Sequence, residues 1–220
     1  MEKGTAVEKP GFRKLFYIFV IGSIFGCYYE MILNLFAHLM GDGSFFWETR
    51  SGVLYGPFSV IYGFGAVIMV FCLTRRNFKW WQIILLGGLI GGVFELSMGF
   101  FQELFAGTSS WDYSDHWLNI AGKTSPFVML IWGLICLFLM KIIYPFCSKL
   151  IDKIPAKYAD IIFWALFVFL SIDCLLSFSA VIKMNLRRHE VPTFTPYGRF
   201  LDTVYPDERV RRAYPNMVDV

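Results

Sequence analysis

The sequence predicts an all-α protein: a polytopic membrane helix bundle with about five transmembrane helices. Three observations carry this expectation. Of 220 residues, 56% are hydrophobic and 17% charged, where soluble domains carry about 25% charge. The apolar residues gather into five long runs separated by short polar loops, the pattern of membrane spans. Three acids also lie inside these runs, each 16 residues after a lysine at the run's edge: Lys14 to Glu30, Lys79 to Glu95, Lys157 to Asp173. At a helical rise of about 1.5 Å per residue, each acid would sit about 24 Å in from the same side. Ionisable groups at such depth are costly and face a bundle interior or a watery cavity.

Taken in order, the runs predict helices over 15–40, 58–73, 80–105, 125–146 and 161–182. The first is too long for a signal-peptide core and lacks a small-x-small cleavage site, so it is expected to stay attached. The second is short, and its glycine-rich start over 55–65 is expected to be partly irregular. Residues 1–185 then make the membrane-embedded bundle, and residues 186–220 a polar Pro- and Arg-rich tail. Pro192, Pro196, Pro206 and Pro215 among aromatics and charges favour a loose extension. The other readings of the tail are an element lying on the membrane surface or one that grips a partner.

Orientation follows from Lys and Arg in short loops. Lys3, Lys9, Arg13 and Lys14 precede the first run; Arg75, Arg76 and Lys79 separate the second and third. Lys141, Lys149, Lys153 and Lys157 separate the fourth and fifth, whereas the intervening loops hold only Arg50 and Lys123. This bias makes the chain a multi-pass cell-membrane protein with its amino terminus in the cytoplasm. The tail dissents, because five spans place it outside with Lys183, Arg187, Arg188, Arg199, Arg209, Arg211 and Arg212. Charge far from the last span counts less.

A pattern repeats. The first run reads Gly22-x3-Gly26-x3-Glu30, and the third Gly87-x3-Gly91-x3-Glu95. Residues four apart share a helix face, so each acid continues a glycine stripe suited to close helix approach. Pro57-Phe58 precedes Tyr62-Gly63, and Pro126-Phe127 precedes Trp132-Gly133. A two-helix unit used twice in parallel, plus a fifth helix, is the expectation. In that fifth helix Ala165 and Phe169 replace the glycines, and only the acid carries over.

Polar tracks leave each acid at helical spacing: Glu30 to Asn34 and His38, Glu95 past Gly99 to Glu103, Asp173 to Ser177. With the amino terminus inside, they run outward, so the cavity is expected to open to the exterior. No lysine or arginine lies deep in a span to pair with the acids. Trp111-Asp112-Tyr113-Ser114 with Asn119, and the run Arg50 to Pro57, add polar and aromatic groups at that end. The candidate binding residues are Glu30, Glu95, Asp173, Asn34, His38, Asp112, Tyr113, Asn119 and Tyr62.

Other chemistry is disfavoured. Ala121-Gly122-Lys123-Thr124 resembles the end of a phosphate loop, but Trp117 stands where a glycine is required and no strand precedes it. His38, His116 and His189 lack zinc-site spacing, and the five cysteines read as small buried hydrophobes. No cofactor, metal or catalytic residue is assigned, and a net charge of +3 gives no reason to expect nucleic acid. The expected partner is the lipid bilayer.

Gly26 with Glu30, the run Gly56-Pro57 to Tyr62-Gly63-Phe64-Gly65, Glu95 with Gly99, Trp111-Asp112-Tyr113-Ser114 with Asn119, and Pro126-Phe127 to Trp132-Gly133 occur in that order. Together they resemble the bacterial family of ABC-transporter type IV, or CmpB-like, membrane permeases over residues 12–185. Cys27 stands where the family favours Trp, and Val60 where it favours Pro. The resemblance implies a permease partnered with a separate ATPase or other membrane subunit. The short loop over 141–160, interrupted by Pro145 and Pro155, offers no obvious cytoplasmic coupling helix. The favoured function is therefore a transporter-like component with an intramembrane acidic site for a cation, proton or small polar solute. The alternatives are an intramembrane enzyme acting on lipid or a lipid-linked substrate, with His38 or Asp112 aiding an acid as general base, and a non-catalytic accessory subunit.

Overall fold

Four helices long and apolar enough to cross a membrane, plus one shorter apolar helix, make the bundle of this computed structural model. It describes residues 10–74 and 76–220; Lys3, Lys9 and Arg75, which entered the charge count, lie outside the described residues. The long helices are α1 (Phe12–Gly41), α3 (Trp80–Ala106), α4 (Pro126–Phe138) continuing into α5 (Tyr144–Asp152), and α6 (Ala156–Arg188). The shorter one is α2 (Val60–Leu73). The polytopic all-α bundle is as the sequence predicts.

Glycine contacts decide how the helices pair. Gly22 of α1 meets Ala66 and the Tyr62 carbonyl of α2, and Gly26 lies under the Tyr62 ring. On α3, Gly87 meets Cys136 and Gly133 of α4, and Gly91 lies under Trp132. The meetings repeat with fixed offsets: 65 residues from α1 to α3 and 70 from α2 to α4. A glycine stripe has no side chain to hold helices apart, so dispersion contacts act at short range. The opposite face of α3 carries Leu85, Leu89 and Val93, all exposed. Such a stripe suits the apolar interior of a bilayer.

Three boundaries differ from expectation for identifiable reasons. Helix α2 begins at Val60 because residues 56–59 stay unwound: Gly56 has φ +83° and the Ser59 N–H bonds the Ser23 carbonyl across to α1 at 2.9 Å. The fourth span does not stop near residue 146 but continues through Pro145 to Asp152. A π-helical turn over Leu139–Ile143 lies just before the proline, where its ring would otherwise strike the carbonyl four residues back. Helix α6 outruns its apolar segment at both ends, its last turn held by tail contacts described next.

The tail is a correction. It is folded, not a loose extension: α7 (Pro196–Val204) and α8 (Asp207–Ala213) pack on the end of α6. Leu201, Tyr205, Val210, Tyr214 and Met217 are buried against Ala180 and Met184. Arg187 bonds Asp202 at 2.8 Å, Asp207 at 2.6 Å and the Tyr205 carbonyl at 3.0 Å. A two-residue antiparallel ladder joins β1 (Thr108–Ser109) to β2 (Val218–Asp219). Arg188 and Arg211 both grip Asp219. The arginines that weighed against the predicted orientation are thus held largely in ion pairs within the tail.

The two ends of the bundle are now distinguishable. Lys14 pairs with Asp152 at 2.8 Å and Arg13 with Asp160, so the start of α1 meets the α5–α6 junction. The 42–59 and 107–125 loops and the tail gather at the other end, where Tyr55 meets Tyr205 at 2.9 Å.

Candidate functional site

Glu30 and Glu95 occupy equivalent places on α1 and α3, one helical turn beyond Gly26 and Gly91, and both line one cavity of about 700 Å³. Tyr62 and Trp132, the aromatics seated on those glycines, stand between them with ring centres 5.3 Å apart. The wall continues to Arg50, Ser51, Ser110 and Trp111 of the loops. Tyr214, Asn216 and Met217 of the tail complete it. The repeated unit therefore delivers two carboxyls to a single space near the loop-bearing end.

The two acids have different neighbours. Tyr62 directs its hydroxyl to Glu30, with the Arg50 guanidinium also acting on that carboxyl. Glu95 is 6% exposed, and its Oε1 accepts from the Tyr113 hydroxyl at 3.1 Å. Its Oε2 is buried, with the Thr124 hydroxyl and the Trp132 indole beside the carboxyl as further donors. Burial, then the Glu95 charge, lifts the Tyr113 phenol well above its ordinary value, so Tyr113 remains a donor.

Tyr113 reaches the cavity because its loop is tied down. Asp112 accepts from the Ser114 N–H at 2.9 Å and hydroxyl at 2.6 Å. These bonds hold its exposed carboxylate below the usual range. Asn119 donates to the Ser114 and His116 carbonyls and accepts from the Gly122 N–H. Gly122 has φ +66°, and a Cβ there would meet Ser114 and Asp112. Asp112 and Asn119 hence build the loop and do not border the cavity. Asp42 makes the same turn with Ser44 in the first loop.

Asn34 lines the cavity; its Oδ1 accepts from Arg50 at 2.7 Å, and its Nδ2 is buried without a partner. His38 lies outside the cavity, 3.8 Å from Asp42 and against the Phe46 ring. Asp173 is also outside it. Its two oxygens accept from the Tyr55 N–H at 3.3 Å, and the Ser177 hydroxyl lies 3.2 Å away. Thus the structure brings together Glu30, Glu95, Asn34, Tyr62 and Tyr113, and leaves His38, Asp112, Asn119 and Asp173 in other roles.

Two loop cations at this end, and the tail residues of the wall, were not among the candidate binding residues. Arg50 and Lys123 are loop cations that fold back onto the preceding helix. Arg50 pairs with Glu48 at 3.2 Å, and Lys123, buried over Gly99, pairs with Glu103. Both lie in loops, outside the apolar runs. Their position at the two loops of the repeat was the available signal. The tail's contribution had no sequence signal, because no periodicity relates it to the helices.

Helices, lipid-facing stripes and a polar interior cavity define a polytopic, transporter-like membrane protein. Residues 17–178 match the family described as Putative ABC-transporter type IV, and the chain belongs to that family. No curated protein and no solved structure gives a significant match. The matched region ends within α6, so the tail that walls the cavity lies beyond it.

Proposed function

We propose that this protein is a permease-like component of a cell-membrane transport system that binds a cation, proton or small polar solute at Glu30 and Glu95. One observation carries the reading. Two carboxyls from a repeated helix pair line one cavity, together with Asn34, Tyr62 and Tyr113. The lipid-enzyme alternative needs His38 or Asp112 beside an acid, and neither borders the cavity. The family description supports association with a separate ATPase.

In nanodiscs, the unfolding midpoint is titrated with KCl, MgCl2, choline chloride and glucose across a pH series. At least one titration is expected to raise the midpoint saturably. Glu30→Gln and Glu95→Gln should abolish the response, whereas Asp173→Asn should retain it. A wild-type midpoint that responds to none of them, or a Glu30→Gln/Glu95→Gln double variant that responds fully, would count against the reading.

The loop-charge bias supports a cytoplasmic amino terminus, with the cavity end outside. In intact cells lacking the native cysteines, Ser44→Cys should react with an impermeant maleimide and Lys153→Cys only after permeabilisation. The reverse pattern inverts the orientation.

A further inference from the structure

Resting on that reading, we infer that the ligand of this cavity is a small organic ammonium compound carrying an oxygen acceptor, not an inorganic ion. Metal ions favour several hard ligands around one point. Among the described residues, no group of three His, Cys, Asp or Glu side chains could hold one. The cavity of about 700 Å³ matches an organic solute in scale. Its acids stand among aromatic rings that line the same cavity: Tyr62, Trp132, and Tyr113 bonded to Glu95. Aromatic rings beside a carboxyl attract an alkylated ammonium, whose charge is diffuse and weakly hydrated.

The cavity also asks for an acceptor on the ligand. Asn34, a residue of its wall, keeps a buried Nδ2 without a partner. Asn34 Nδ2 can only donate, and Arg50 bonds the same side chain. Asn34 lies one helical turn beyond Glu30, about 6 Å along α1. The donors and acids thus form two poles at a separation that an amino alcohol or betaine spans. Arg50 divides its charge between Glu48, 3.2 Å away, and Glu30.

Equilibrium dialysis of the full chain in nanodiscs, using radiolabelled choline, tests this. Saturable binding is expected, with 3,3-dimethylbutan-1-ol, the uncharged isostere, competing at least tenfold more weakly. Tetramethylammonium, which lacks the acceptor, should also compete more weakly than choline. Glu95→Gln should reduce choline binding about tenfold or more while the variant stays monodisperse with native helicity. Tyr113→Phe, which keeps the ring, should retain most of it. Competition by the isostere equal to that of choline would overturn the inference by showing an apolar pocket only. Absence of choline binding, with a KCl or MgCl2 response that needs Glu30 and Glu95, would overturn it and leave the acidic-site reading standing. Absence of every response would remove both.

Discussion

At Gly26 and Gly91 a missing methyl group decides the position of the cavity wall. A Cβ on Gly26 would come 2.1 Å from the Tyr62 ring, and one on Gly91 2.4 Å from Trp132. Both distances are far inside van der Waals contact, so α2 or α4 must shift, carrying its aromatic away from the acids. Gly26→Ala and Gly91→Ala are each expected to lower stability by about 1–3 kcal/mol, the range for overpacking, and to weaken ligand responses. Gly41→Ala, with nothing within 4 Å of its Cβ, is the control and should change neither. Thermal unfolding in nanodiscs measures all three. Asp173 makes the complementary point. Along the chain it looks like a third copy of Glu30, yet its oxygens meet the Tyr55 N–H and the Ser177 hydroxyl. An acid's depth is written in the sequence; what it faces depends on the loop that arrives beside it.

At the scale of elements, the tail shows how a polar, proline-rich segment acquires structure without a membrane or a long helix. Its prolines start helices: Pro196 occupies the first turn of α7, and Pro206 caps α8. Each position tolerates the missing N–H. Three carboxylates then fix the assembly, with Asp202 and Asp207 on Arg187 and Asp219 on Arg211 and Arg188. The hydrogen bond from Arg211, together with the charge of Arg188, holds Asp219 below its usual range. A carboxylate lowered in the folded state stabilises above its unfolded value, about 3.9, and loses that contribution as pH falls through the lower folded value. Protection factors over residues 196–219, taken against the intrinsic exchange rate at each pH, should therefore be high near pH 6 and fall as pH drops below about 4. Asp219→Asn should lower protection at pH 6 and remove much of this acid dependence. If protection persists undiminished through pH 3, the ion pairs do not hold the tail.

For the whole molecule, the two helix pairs form a parallel repeat whose centre is the contact between Tyr62 and Trp132. One copy alone would leave a glycine-lined pair with a carboxyl facing lipid. Two copies place both carboxyls inside, and α6 with the tail closes the remaining side. The sequence by itself determined the class of fold, the five apolar segments, the glycine stripes and the repeat, because each is a local periodicity imposed by helix geometry and by the bilayer. It also singled out Glu30, Glu95, Asn34, Tyr62 and Tyr113, which line one cavity, since polar groups are conspicuous against an apolar background. Only the tertiary structure decided that Asp173 serves a loop, that Asp112 and Asn119 position Tyr113, that Arg50 approaches Glu30, and that the tail walls the cavity. Those outcomes depend on contacts between residues distant along the chain, such as Tyr55 and Arg209, 154 apart. No spacing rule encodes such meetings; they exist only once the helices have packed and fixed where the loops must run.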